Sequence, residues 1–140
     1  MTRVRLAAVA ATATLAALAG AAPAQATPAT GVSAILLFDK TVGGTRIAVR
    51  RITIGPGGET GYHRHDGPVF GVVRSGTLTH YGSRCTVDGV YRAGDSIYEP
   101  AGPVHIGRNE GRTPLVLDAT YVLPAGAPFA ADAPAPPCEN

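Results

Sequence analysis

The residues best suited to do chemistry in this 140-residue chain are its four histidines. His63 and His65 lie two positions apart, and His105 follows the segment Pro100-Ala101-Gly102-Pro103. In an extended strand, side chains at i and i+2 leave the same face. Two imidazoles so placed, with Arg64 turned away, can share one metal ion. A third imidazole arriving from a later strand would complete one side of a coordination sphere. Imidazole ligands suit several transition metals. The expected cofactor is therefore a divalent ion (Fe, Zn, Mn, Ni or Cu) held by His63, His65 and His105. Taken alone, an H-x-H pair describes surface or packed histidines just as well, so the frame around it has to decide.

That frame reads as all-β. Short runs rich in Val, Ile, Thr and Tyr alternate with Gly, Pro and Asp clusters, and no helical period follows Ala26. Strands are expected at Ser33–Asp39, Thr45–Ile54, Gly61–His65, Val69–Arg74, Thr77–Tyr81, Asp88–Tyr91, Ser96–Glu99, Val104–Arg108 and Leu115–Val122. Many short strands at close, even spacing signal a sandwich or a barrel. The segment 124–140 consists largely of Pro and Ala, so this tail is expected to run extended along the surface without regular structure.

Beyond the histidines, fixed positions recur. Gly57, His63, His65 and Gly76 read G-x5-H-x-H-x10-G, and Gly94, Pro100, Gly102, His105 and Asn109 read G-x5-P-x-G-x2-H-x3-N. These two stretches, separated by the short segment from Thr77 to Ala93, resemble the two motifs of the cupin family. The resemblance runs from about Ser33 to Val122. It implies a single-domain double-stranded β-helix, a jelly-roll barrel, of the small exported bacterial type, with a metal held inside. Homodimers are also a family expectation. One departure stands out. The family places a Glu ligand after a spacing of three or four residues from the second His, where this chain has Val69 and Phe70. No Asp or Glu lies between Asp66 and Asp88, so the resemblance implies at most a three-His site, with weaker metal retention.

Strand parity nominates the pocket. If Val69 faces inward, so do Gly71 and Val73, and Gly71 marks either space beside the metal or a bend. On the next strand Leu78 reads as inward, which turns His80 inward too, as a fourth ligand, a general base or a packed histidine. Tyr98 and Glu99 end a strand, and one of them is expected to reach the barrel mouth. Asp95 and Asn109 read as turn holders.

The chain opens with Arg3 and Arg5, an Ala- and Leu-rich run to about Ala22, and Ala24-Gln25-Ala26. This is the pattern of a cleaved secretory signal peptide over residues 1–26. The barrel domain is then expected over 27–123, the tail over 124–140, and the protein outside the cell. Cleavage removes two of the 12 Lys and Arg and none of the ten Asp and Glu, leaving no net charge. Neither nucleic acid nor, after cleavage, a membrane is an expected partner; a small molecule is. In an exported chain the two cysteines, Cys85 and Cys138, most simply pair as a disulfide. There is no G-x-S-x-G nucleophile motif, phosphate loop or dinucleotide fingerprint. Three functions stay open: a metal-dependent enzyme on a small molecule, such as a dioxygenase; a non-catalytic module binding a small molecule or metal; and a metal-free structural barrel.

Overall fold

A computed structural model describes residues 27–138. The expected signal peptide lies outside the described residues. The described chain has ten strands: β1 (Thr30–Val42), β2 (Thr45–Glu59), β3 (His63–Arg64), β4 (Val69–Ser75), β5 (Thr77–Tyr81), β6 (Val87–Arg92), β7 (Ser96–Glu99), β8 (Ile106–Arg108), β9 (Leu115–Pro124) and β10 (Ala131–Asp132). Each strand expected from the sequence is present, β5 and β7 with the same bounds.

Eight strands form one curled antiparallel sheet in the order β6-β5-β8-β2-β9-β4-β7, with β1 added alongside β2, while β3 pairs with β10. This is the all-β jelly roll, a nearly closed barrel. Its interior follows from period-2 patterning. Along β9, Leu115, Leu117, Ala119, Tyr121 and Leu123 are buried, while the residues between them are partly exposed. On the paired strand β4, Val69, Gly71 and Val73 are buried and Phe70 and Val72 exposed. With Ile54, Leu78 and Ile97 these side chains make one apolar core. Burying a Leu, Ile or Val side chain stabilises by about 1.5–3 kcal/mol each.

Two features depart from the sequence reading. The Gly55-Pro56-Gly57-Gly58 segment, expected as a break, continues β2 to Glu59. A Cβ at Gly58 would stand 2.7 Å from the Thr30 carbonyl oxygen, so the glycine lets β1 approach and the strand bend instead of ending. The tail also contains regular structure. Ala131 and Asp132 pair with Arg64 and His63, and the buried Ala133 donates its N–H to the Tyr62 carbonyl at 2.9 Å. Between Pro128 and Pro134 there are enough free N–H groups to satisfy the open edge of β3. Cys85 and Cys138 form a disulfide, their Cα atoms 5.8 Å apart, which ties the end of this tail to the loop between β5 and β6.

Asn109 holds the turn that returns β8 to β9. Its side-chain amide donates to the carbonyls of Ile54 and Thr113 at 2.8 and 2.9 Å, and its oxygen accepts from Gly111 N–H at 3.0 Å. The side chain of Asp95 accepts from the Arg92 N–H at 2.7 Å and closes the β6–β7 turn.

Candidate metal centre

His63 lies on β3 and His105 just before β8. They face each other in a bridge in which each backbone N–H donates to the other's carbonyl, at 3.0 and 2.9 Å. His65 returns to the same face as His63, while Arg64 is exposed. Ring centroids stand 4.8 Å apart for His63 and His65, 4.4 Å for His63 and His105, and 5.0 Å for His65 and His105. All three are buried, and their ligand atoms lie within 4.8 Å of one another, a group that could hold a metal ion.

The second nitrogen of each ring settles which atom faces the centre. The Nδ1 of His63 lies 2.9 Å from the Gly61 carbonyl, that of His65 2.7 Å from the Phe129 carbonyl, and that of His105 3.1 Å from the Pro103 carbonyl. A carbonyl only accepts, so each Nδ1 carries a proton and leaves Nε2 as the atom free to meet a ligand at the centre. Outer hydrogen bonds of this kind orient metal-ligating imidazoles.

Glu99 enters the same space. Its Oε2 stands 3.2 Å from His65 Nε2 and 3.6 Å from His105 Nε2. Burial pushes this carboxyl up, but the facing imidazoles of His105 and His65 outweigh it and hold Glu99 well below the usual carboxylate range. Burial lowers His105, and the Glu99 carboxylate reverses that and raises it. His63, farther from the carboxylate, is lowered to about 4, first by burial and then by His105. The Nε2 atoms of His65, His80 and His105 are buried without a hydrogen-bond partner. Buried polar atoms left without a partner cost about 1–3 kcal/mol each. The Nε2 atoms of His65, His80 and His105 and the Glu99 carboxylate thus converge, and the positive charge that the carboxylate favours there can be a proton on an imidazole or a bound cation.

The remaining candidate pocket residues divide. Val69, Gly71 and Glu99 line an inner cavity of about 50 Å³ with His63 and His65. Val73 is in the core below it. At Gly71 a Cβ would stand 2.6 Å from Ile97 Cγ2, so the glycine makes room for the neighbouring strand's side chain, not for a ligand. Tyr98 is corrected: it is 59% exposed and packs on Phe70 outside the barrel, because β7 alternates Ile97 and Glu99 in with Ser96 and Tyr98 out. His80 is buried and stacks on His105 at 4.9 Å, with its Nδ1 2.5 Å from Asp88 Oδ1. Asp88 was missed in the sequence. His80 pairs with Gly89 and Tyr81 with Val87, so Asp88 is the extra residue of a β-bulge, which aims it at His80. The anchoring carbonyl of Phe129 was missed as well.

Cavities open on both sides of the centre. One of about 210 Å³ is lined by His80, Arg84, Asp88, Glu99 and His105. Another, of about 250 Å³, is lined by Arg50, Thr60, His63, His65, Tyr121 and Asp132. Both are smaller than the roughly 300–1,000 Å³ of drug-sized ligand pockets and have room for a molecule below that size.

The family model of the cupin domain (Cupin_2) matches residues 50–129. No curated protein matches. A cupin domain from Bordetella pertussis Tohama I is 26% identical, with TM-score 0.57, over 70% of this chain and 97% of that one. The polyketide cyclase RemF from Streptomyces resistomycificus is 17% identical, with TM-score 0.63, over 78% of this chain and 75% of its own. An oxalate oxidase is 24% identical, with TM-score 0.55, over 64% of this chain and 50% of its own. The barrel, the two spaced motifs and the family match together make this chain a member of the cupin family.

Proposed function

We propose that this protein binds a divalent transition-metal ion inside the barrel through Nε2 of His63, His65 and His105, and offers it to a small molecule. The supporting observation is the convergence of three buried imidazoles, each with its Nδ1 on a backbone carbonyl, with the Nε2 atoms of His65 and His105 facing the Glu99 carboxylate. When bound, such an ion supplies Lewis acidity toward a ligand oxygen, with redox chemistry added for iron or copper. The chain's own residues orient and shield. The carbonyls of Gly61, Phe129 and Pro103 hold a proton on each Nδ1 and keep the rings aimed, and Ile52, Leu78, Ile97 and Leu117 line the inner side with apolar surface. The flanking cavities admit a molecule of modest size. The likeness to RemF and oxalate oxidase is one of fold and carries no substrate to this chain.

Elemental analysis of the purified protein beside His63→Ala/His105→Ala tests this reading. Near-stoichiometric metal in the wild type and none in the double variant is expected. Metal in neither, even after reconstitution, overturns it.

We also read the chain as exported. The N-terminal pattern supports this, and so does the Cys85–Cys138 disulfide, a bond that persists in oxidising compartments. Protein recovered outside an expressing bacterium should have the intact mass of the chain that begins at Thr27. A mass that still includes the segment from Met1 to Ala26 would count against it.

A further inference from the structure

Across the β4–β7 ladder, Val69 pairs with Glu99. Directly opposed residues of an antiparallel pair project from the same face. The inward position that Val69 leaves without a polar group thus has a carboxylate delivered beside it from the neighbouring strand. Residues 69 and 99 are far apart in sequence, so only the register joins them.

Glu99 stands within, or a few tenths of an ångström beyond, the spacing that ligands of one ion keep. Two ligand atoms each about 2.1 Å from an ion and 90–110° apart stand roughly 3.0–3.4 Å from each other. Glu99 Oε2 is 3.2 Å from His65 Nε2 and 3.6 Å from His105 Nε2. Its other oxygen, Oε1, is 3.7 Å from His80 Nε2.

His80 is prepared in the same way as the three motif histidines. Its Nδ1 is held by a carboxylate, that of Asp88, which leaves Nε2 as the atom that faces Glu99. That atom is buried, has no hydrogen-bond partner, and lies within 4.8 Å of ligand atoms of Glu99 and His105. His105 belongs to this group and to the three-histidine group alike. Charge argues the same way. Three neutral imidazoles leave a dication uncompensated in an apolar barrel, and an ionised Glu99 removes half of that charge.

We propose that Glu99 and His80 are ligands of the same ion as His63, His65 and His105. The centre is then a five-donor set of four imidazoles and one carboxylate. Its carboxylate comes from β7, its fourth imidazole from β5, and Asp88 is the positioning residue for that imidazole. The inference rests on the three-histidine reading above and names the rest of the coordination sphere.

The test is Co²⁺ and Zn²⁺ binding to the purified full-length protein, read by competition with a chromophoric chelator and by the Co²⁺ visible spectrum. Glu99→Ala and His80→Ala should each weaken binding roughly tenfold or more and change the spectrum, as loss of a donor requires. Asp88→Ala should weaken binding in the same direction. Glu99→Gln and His80→Gln, which keep the side-chain volume, carry the test if an alanine variant does not fold. Wild-type affinity and spectrum in both the Glu99 and His80 variants overturn the proposal. A change at only one of the two positions also overturns the five-donor set. If His63→Ala/His105→Ala loses metal in those cases, the three-histidine centre stands without the addition. If that double variant keeps metal, both readings fall.

Discussion

His65 is held from the far end of the chain: its Nδ1 donates to the carbonyl of Phe129, 64 residues later, at 2.7 Å. Phe129 is fixed in turn by packing on Tyr121, with the Arg46 and Arg50 guanidiniums against its ring at 4.3 and 4.5 Å. The tail beyond it pairs with β3 and ends in the disulfide to Cys85. The C-terminal segment is therefore an outer support of the centre.

Removing residues 125–140 should weaken metal binding about ten- to hundredfold, the usual effect of losing an outer hydrogen bond to a ligand. Chelator competition measures it, and unchanged affinity would show that the carbonyl does not set the ring. Opening the disulfide, which spans 53 residues, should cost roughly 3–4 kcal/mol in urea unfolding with and without reductant.

The metal-free protein should lose stability on the acid side through His63. Its pKa is lowered from 6.5 to about 4 in the fold. Between those values the unfolded chain takes up a proton that the native state refuses. This contribution is present above about pH 6.5 and disappears as pH falls toward 4, at most about 3 kcal/mol. His105 works oppositely: raised in the fold by Glu99, it favours the native state below 6.5 and loses that contribution as pH rises through its folded value. Urea midpoints of chelator-treated protein at pH 7.5 and 5 should fall more for wild type than for His63→Asn. Equal falls would remove His63 from the account.

Asn109→Ala should destabilise by about 2–3 kcal/mol, because it leaves the carbonyls of Ile54 and Thr113 and the Gly111 N–H without their partner. Denaturant unfolding reads this directly. A change no larger than an ordinary surface substitution produces would mean that water replaces all three bonds.

Strand β1 predicts self-association. Ile35, Leu36, Leu37 and Phe38 are 59, 53, 47 and 51% exposed on a strand that pairs, among the described residues, with β2 alone. An open edge with four consecutive apolar residues is a template for another strand, and an identical copy across a two-fold axis is complementary to it. Light scattering should give a dimer for wild type and a monomer for Leu36→Arg. A wild-type monomer at tens of micromolar sinks the expectation.

Strands and the faces of most residues were legible in the sequence, because period 2 acts locally. The same rule turns Val69, Gly71 and Val73 inward and puts His63 and His65 on one side. Parity also left Tyr98 and Glu99 as alternatives, and the one pointing inward was decided by the register that sets Glu99 opposite the buried Val69 and Tyr98 opposite the exposed Phe70. Sequence spacing places no carboxylate on β4, and Glu99 stands instead across the ladder, where strand register sets the neighbour. Asp88 reaches His80 through a bulge, a one-residue slip in pairing that no local pattern marks. The Phe129 anchor is a backbone carbonyl, which every residue type carries, inside a segment whose prolines read as structureless. The sequence by itself thus determined a β barrel with three histidines on its inner face. Tertiary pairing alone decided what surrounds them, because register, bulges and backbone acceptors are properties of two segments in contact and of neither one alone.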